Sequence, residues 1–124
     1  MQRITPSLIL TICCIILLLT LCSCATTRKI GGPITQQLRD GLYEGSYKGG
    51  PNKAVVEVRI ERNKIVDIRV VKHTAWKGIK AEPTIPERII ENQSTDVDAV
   101  SGATNSSYVL MNAVQKAVEK AYVD

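Results

Sequence analysis

Apolar and polar residues alternate cleanly in two stretches of the chain. Ala54, Val56, Val58 and Ile60 interleave with Val55, Glu57, Arg59 and Glu61, and Val66, Ile68 and Val70 interleave with Ile65, Asp67, Arg69 and Val71. A period of two puts each set on one face of a strand, so the two runs predict an antiparallel hairpin with one buried face and one wet face. Arg62 and Asn63 lie between them as the turn, Asn63 being able to take a left-handed conformation. Residues 41–48 alternate around Leu42, Tyr43 and Tyr47 and predict a short first strand, closed by Gly49-Gly50-Pro51.

The period then lengthens. Trp76, Gly78, Pro83 and Pro86 break any regular pattern over residues 73–86, which read as a long loop with at most one turn of helix. Pro86 is placed to open a short helix over 87–91, since proline is tolerated in a first turn. A polar connection over 93–101 leads to the last element, 107–123, where Leu110, Val114, Ala117, Val118 and Ala121 share one helical face and Asn105 or Ser106 serves as N-cap. Tyr108 and Met111, one turn in, are expected to pack in the core. The sum is an α+β fold, a small antiparallel sheet with a β-hairpin packed against two helices.

The start of the chain belongs to no such fold. Residues 8–21 are an apolar run, preceded by Arg3, short for a bilayer span and ending at Leu21-Cys22-Ser23-Cys24. The ending resembles the lipobox of bacterial lipoproteins. The resemblance implies a signal peptide over 1–23, cleavage before Cys24, and lipid (diacylglycerol, with palmitate) on that cysteine. Residues 24–39 then form a lipidated tether and 40–124 the domain, held at the cell membrane outside the cytoplasm. Cys13, Cys14 and Cys22 would leave with the signal, and Cys24 would be consumed by lipid. No thiol then remains for a disulfide, an iron–sulfur cluster or a zinc site.

Composition narrows the field further. The formal charge of +4 falls to +3 when Arg3 leaves, and although Lys72, Lys77 and Lys80 fall close together, no basic and aromatic ladder suited to nucleic acid accompanies them. Nucleic acid is therefore excluded as a partner. His73 is the only histidine and has no companion ligands in sequence, so no metal site is expected.

The chemistry is concentrated in Asp98-Ala99-Val100-Ser101-Gly102-Ala103-Thr104, followed by Asn105-Ser106-Ser107. Small residues let a ligand approach the backbone here, and a helix begins immediately after, so its first amides are unpaired donors beside the Thr104 hydroxyl. Such a terminus favours an anion, phosphate above all. The motif is similar to the flavinylation motif of the FMN-binding domain family, which includes flavin subunits of sodium-pumping quinone reductases and related electron-transport complexes. Residues 40–45, the hairpin and the last helix extend the likeness.

The resemblance implies FMN joined through its phosphate to Thr104, donated from FAD by a separate flavin transferase. It implies that Asp98, Ser101, Gly102 and Ala103 are the positions the transferase recognises, with Asn105 and Ser106 beside the cofactor. Membrane or extracytoplasmic redox proteins would be its partners, and the chain an electron carrier more than an enzyme with its own substrate. Linkage through phosphate leaves the ring system unmodified, while the following helix terminus stabilises the remaining charge by roughly 0.3–1 kcal/mol. Trp76 could lie against the flavin or fill the core. Family members often carry an acidic residue and a proline ahead of glycine in the central loop, where residues 76–78 read Trp-Lys-Gly. That departure bears on ring contacts and leaves the attachment untouched. The competing reading is a lipoprotein that binds flavin or another small ligand reversibly.

Overall fold

A computed structural model of the chain describes residues 6–7, 31–75 and 78–124. Three strands, β1 (Gly41–Gly49), β2 (Asn52–Glu61) and β3 (Lys64–Thr74), precede two helices, α1 (Ala81–Asn92) and α2 (Thr104–Glu119). The strands pair in the order β1-β2-β3, antiparallel throughout. Arg62 (φ 52°) and Asn63 (φ 65°) are both left-handed, which makes the β2–β3 connection the two-residue turn whose twist matches its strands. This is the α+β architecture expected from the alternation, an antiparallel sheet with a hairpin against two helices.

In β2 the alternation sorts as the period of two requires; in β3 it does not, because a register shift opposite Arg59 and Ile60 leaves Val66 as an extra, exposed residue and brings Ile65, expected on the face opposite Ile68, into the core with it. Ala54, Val56, Val58 and Ile60 of β2 are fully buried, with Ile65 and Ile68 of β3 beside them, while Lys53, Arg59, Glu61 and Arg69 are exposed on the other face. Helix α2 lies on the inner face. Its Leu110, Met111, Val114 and Val118 are buried, Tyr108 is half-buried, and Gly45 of β1 lets the helix come so close that a Cβ there would run into the Ala113 carbonyl and Ala117. Helix α1 packs against α2 and β3.

Helix α1 begins at Ala81, where proline chemistry had suggested Pro86. Ala81, Ile85 and Ile89 recur every fourth residue and are fully buried. Burial of that face outweighs the backbone bond that Pro86 forfeits inside the helix, while Pro83 sits in the tolerant first turn. The helix stops at Gln93, left-handed at φ 48°. Its side-chain amide then accepts from Ile65 N (2.9 Å) and donates to Ile65 O (2.9 Å), pinning the helix end to β3.

Helix α2 begins at Thr104 and ends at Glu119, earlier at both ends than the 107–123 read from periodicity. Its N-cap is Ala103, with no side-chain cap, so neither Asn105 nor Ser106 has that role. Ser107 is the reason. Its hydroxyl donates to the Ala103 carbonyl (2.8 Å) and accepts from Val100 N (3.0 Å), which draws the preceding loop onto the first turn and lets the helix start three residues sooner.

Residues 31–39, assigned to the tether on composition, lie against the fold. Pro33 bridges Ser94 and Leu38 bridges Tyr122. Leu38 is 5% exposed and its amide donates to Asn63 Oδ1 at 2.6 Å, while the Thr95 hydroxyl holds Gly32 N at 2.9 Å. These contacts fall at the C-terminal ends of both helices, one α1 length, about 18 Å, from where that helix starts. Cys24, with residues 8–30, lies outside the described residues, as do Trp76 and Lys77.

Candidate functional site

Both helices start at the same pole of the domain, and between them and the β1–β2 turn opens a cleft of about 390 Å³. Pro51 and Asn52 form one wall, Gly78 another, and residues 102–106 the floor. A volume of this order suits a small-molecule site. Its shape depends on close approaches. Gly78 lies so near Ser106 that a Cβ would overlap the Ser106 side chain, and Gly102 is left-handed at φ 76°. Asn52 Nδ2 donates to Ser106 Oγ (3.2 Å) and Asn105 Nδ2 to the Gly49 carbonyl (3.3 Å), tying the helix start to the β1–β2 turn.

The first bond of the α2 ladder runs from Ser107 N to Ala103 O at 2.9 Å. The amides of Thr104, Asn105 and Ser106 precede it and have no place in the ladder, so three donors and the positive end of a 16-residue helix are presented at the cleft floor. Thr104 is exposed, and its hydroxyl makes no hydrogen bond among the described residues. Ala103, Asn105 and Ser106 carry backbone or interior contacts while Thr104 stands free at N1, the one hydroxyl of the floor not already engaged.

The expected site residues divide into two groups. Gly102, Ala103, Thr104, Asn105 and Ser106 line the cleft. Asp98 and Ser101 do not; both are exposed on the strap leading into it. That strap is held from α1, where Arg88 donates to the Asp98 carbonyl at 2.6 Å and to the Ala99 carbonyl at 3.4 Å, leaving the Asp98 carboxylate outward. One guanidinium nitrogen, Nη1, serves both carbonyls, so a single charged group fixes two successive peptide units of the strap.

Two residues of the site had no signal in the motif. Arg88 is one. Lys80, the N-cap residue of α1, is the other: its Nζ lies 3.1 Å from where a Cβ of Gly102 would stand. Lys80 forms no ion pair among the described residues, so its ammonium is available to an anion at the helix terminus. The Gly-x-Lys spacing from Gly78 was the only trace in sequence.

His73 behaves as a structural residue. Its side chain is fully buried, with Nδ1 2.8 Å from Glu82 Oε1 in the first turn of α1 and Nε2 without a partner among the described residues. The pair joins the end of β3 to the start of α1, on either side of the segment that contributes Gly78.

The sequence profile of the FMN-binding domain family matches residues 48–119, the greater part of the folded region. The chain belongs to the FMN-binding domain family. FMN is the group this family is described by, and the cleft, the free amides and the unpaired ammonium suit its phosphate. Over 92 residues the chain is 34% identical to an uncharacterised protein of Treponema pallidum (strain Nichols), which covers 68% of this chain and 24% of the relative. It is 33% identical over 88 residues to the NADH:acrylate oxidoreductase of Vibrio harveyi and 29% identical over 87 residues to the NADH:fumarate oxidoreductase of Klebsiella pneumoniae (strain 342). Each covers 68% of this chain, which spans only 9% of either oxidoreductase. A crystal structure of a Clostridium perfringens protein superposes with a TM-score of 0.56 at 24% identity, covering 68% of this chain and 89% of that one, a likeness of fold.

Proposed function

We propose that this FMN-binding domain is an electron carrier whose FMN is held by a phosphoester on Thr104 Oγ1. In the loading step the Thr104 oxygen bonds to the FMN-side phosphorus of FAD, the pyrophosphate bond breaks with AMP as leaving group, and the hydroxyl proton is released. A separate flavin transferase activates both groups, so the cleft needs no general base of its own. Asp98 and Ser101, outward on the strap that Arg88 holds, are the residues the transferase reads.

The observation that carries this reading is the free, exposed Thr104 hydroxyl at the first position of α2, among three unpaired amides. Those amides and Lys80 hold the charge remaining on the phosphate. When bound, the flavin supplies hydride or single-electron chemistry; the chain supplies retention, orientation and a charged environment. The oxidoreductase activities named for two relatives are consistent with an electron-transfer module. Cys24 is the lipid-bearing residue of this proposal, placing the carrier outside the cytoplasm on a membrane, where a cofactor that cannot dissociate is an advantage.

The test is mass spectrometry of the chain coproduced with a flavin transferase and FAD. A mass increase of FMN less water on the peptide containing Thr104 is expected, and Thr104→Ala abolishes it while the fold persists. A colourless, unmodified peptide sinks the proposal. Colour that is lost on denaturation points instead to a lipoprotein binding flavin reversibly.

A further inference from the structure

Charge on the outer face of the sheet is graded from one end to the other. In the middle Glu44 lies opposite Glu57, and a base offsets the two acids: Arg69 of the neighbouring strand holds Glu57 at 2.7 Å. At the far end Arg59 pairs with Glu61 at 3.7 Å. Toward the cleft the acids stop. Lys48 lies directly opposite Lys53, and Lys72, opposite Val55, is diagonal to Lys53 on the same face. All three are exposed and none forms an ion pair among the described residues. No carboxylate occurs anywhere in 45–56 or 70–81.

Like charges directly opposite on neighbouring strands are unfavourable; Arg69 offsets the Glu44 and Glu57 pair, but no acid among the described residues pairs with the lysines, so folding alone gives no reason to gather these three. Their position gives one. Lys53 follows Pro51 and Asn52, which form a wall of the cleft, and Lys48 enters the same turn. Lys48 and Lys53 therefore stand on the outer face of the sheet behind the Pro51–Asn52 wall of the cleft, and Lys72 extends this basic rim on the neighbouring strand. The chain toward residue 30 leaves from the opposite pole, where Pro33 meets Ser94 and Leu38 meets Tyr122. A membrane reached through that end of the chain lies on the far side of the domain from the lysines.

We propose that Lys48, Lys53 and Lys72 form the docking surface for an acidic electron-transfer protein, whose carboxylates seat on the rim and bring its redox centre to the cleft mouth. The proposal rests on the flavin reading above. It requires a partner with negative charge around its redox centre, because complementary fields steer encounter and fix orientation more than they add affinity. It uses residues that hold no part of the flavin, so docking and loading are separable.

The experiment follows flavin bleaching in the loaded chain, mixed with reduced plant-type ferredoxin as an acidic probe. Lys48, Lys53 and Lys72 are changed together to Gln, and Lys64, Lys116 and Lys120, near the other pole, are changed to Gln as the control. The rim variant is expected to react about tenfold more slowly at low ionic strength, with a flattened salt dependence, while the control stays within about twofold of the parent. The rim variant also melts no lower than the parent, since a like-charge pair has been removed. Equal losses in the two triple variants, or none in the rim variant, overturn the proposal. So does loss of FMN loading in the rim variant, which assigns the face to the transferase. Lysine-dependent binding to phosphatidylserine vesicles without any effect on ferredoxin overturns it in favour of a lipid surface. A chain that never acquires flavin fails the loading proposal instead, and direct ferredoxin binding to that flavin-free chain still reads the docking surface.

Discussion

Gly102→Ala tests whether the entry to the cleft depends on a backbone conformation or merely on a small residue. At φ 76° Gly102 is in the left-handed region, which costs an L-residue about 1–2 kcal/mol. Alanine also restricts the unfolded chain, which returns roughly 0.4–1 kcal/mol. The added Cβ stands 3.1 Å from Lys80 Nζ, the far end of a flexible side chain, so steric relief is cheap and backbone strain dominates. The net loss is about 1 kcal/mol, which for a domain of this size lowers Tm by about 4–8 °C. Two other glycines separate the contributions. Gly50 is also left-handed, at φ 61°, but a Cβ there meets nothing within 4 Å, so Gly50→Ala measures strain alone and matches Gly102→Ala to within a few tenths of a kcal/mol. Gly32 has open space and no positive φ, and Gly32→Ala leaves Tm unchanged or slightly raised. The assay is thermal unfolding followed by far-ultraviolet circular dichroism. If Gly102→Ala melts with the parent while Gly50→Ala does not, the left-handed entry to α2 is not required and the argument fails.

Lys80→Gln leaves Tm within a degree or two of the parent but slows FMN loading of Thr104 several-fold, measured as the rate of the mass increase; an unchanged rate removes the ammonium from the site. Arg88→Ala frees the strap carrying Asp98 and slows loading about tenfold, the equivalent of one charge-assisted hydrogen bond, whereas a rate equal to the parent's shows that the transferase does not depend on strap position. Gly45→Ala drives a Cβ into the backbone of α2, where nothing flexible can yield, and lowers stability by about 2 kcal/mol or more in urea titration. Glu82→Ala leaves the buried His73 imidazole with both nitrogens unpartnered among the described residues and lowers stability by about 1–3 kcal/mol.

Over residues 65–71 the alternation misleads, because the extra residue Val66 at the register shift puts Ile65 and Ile68 in the core together. β2 was legible because it buries a single face without interruption from Val56 to Ile60, so the pattern of residues 54–61 reports its own environment. The same holds for Leu110, Val114, Ala117 and Val118 of α2. What failed did so where a distant contact overruled a local preference. Two prolines argue against a helix through 81–92, and only the seat that Ala81, Ile85 and Ile89 find between α2 and β3 keeps it intact. Asn105 and Ser106 are good caps by type, but both are drawn to the β1–β2 turn, and Ser107 closes the helix start instead. Residues 31–39 carry no periodic signal because their partners are Asn63, Ser94, Thr95 and Tyr122, each far along the chain.

The candidate site divides along the same line, and this bears on how it works. The place of Thr104 beside a helix start could be read directly because the motif and the turn of helix that follows it are one local unit. Lys80 and Arg88 could not, because each reaches the motif from α1 and neither is implied by the seven residues it serves. Dividing the site this way gives α1 control over α2's terminus: the same helix brings a cation to Gly102 at its start and holds the Asp98 and Ala99 carbonyls near its middle. The start of α1 is in turn fixed to β3 through Glu82 and His73. A disturbance of that buried pair should therefore reach Thr104 without touching it. Glu82→Ala is expected to slow FMN loading as well as reduce stability, with the slowing still present at temperatures where the variant is fully folded. Slowing that appears only when the variant begins to melt would show that α1 supports the cleft through general stability and not by placing Lys80 and Arg88.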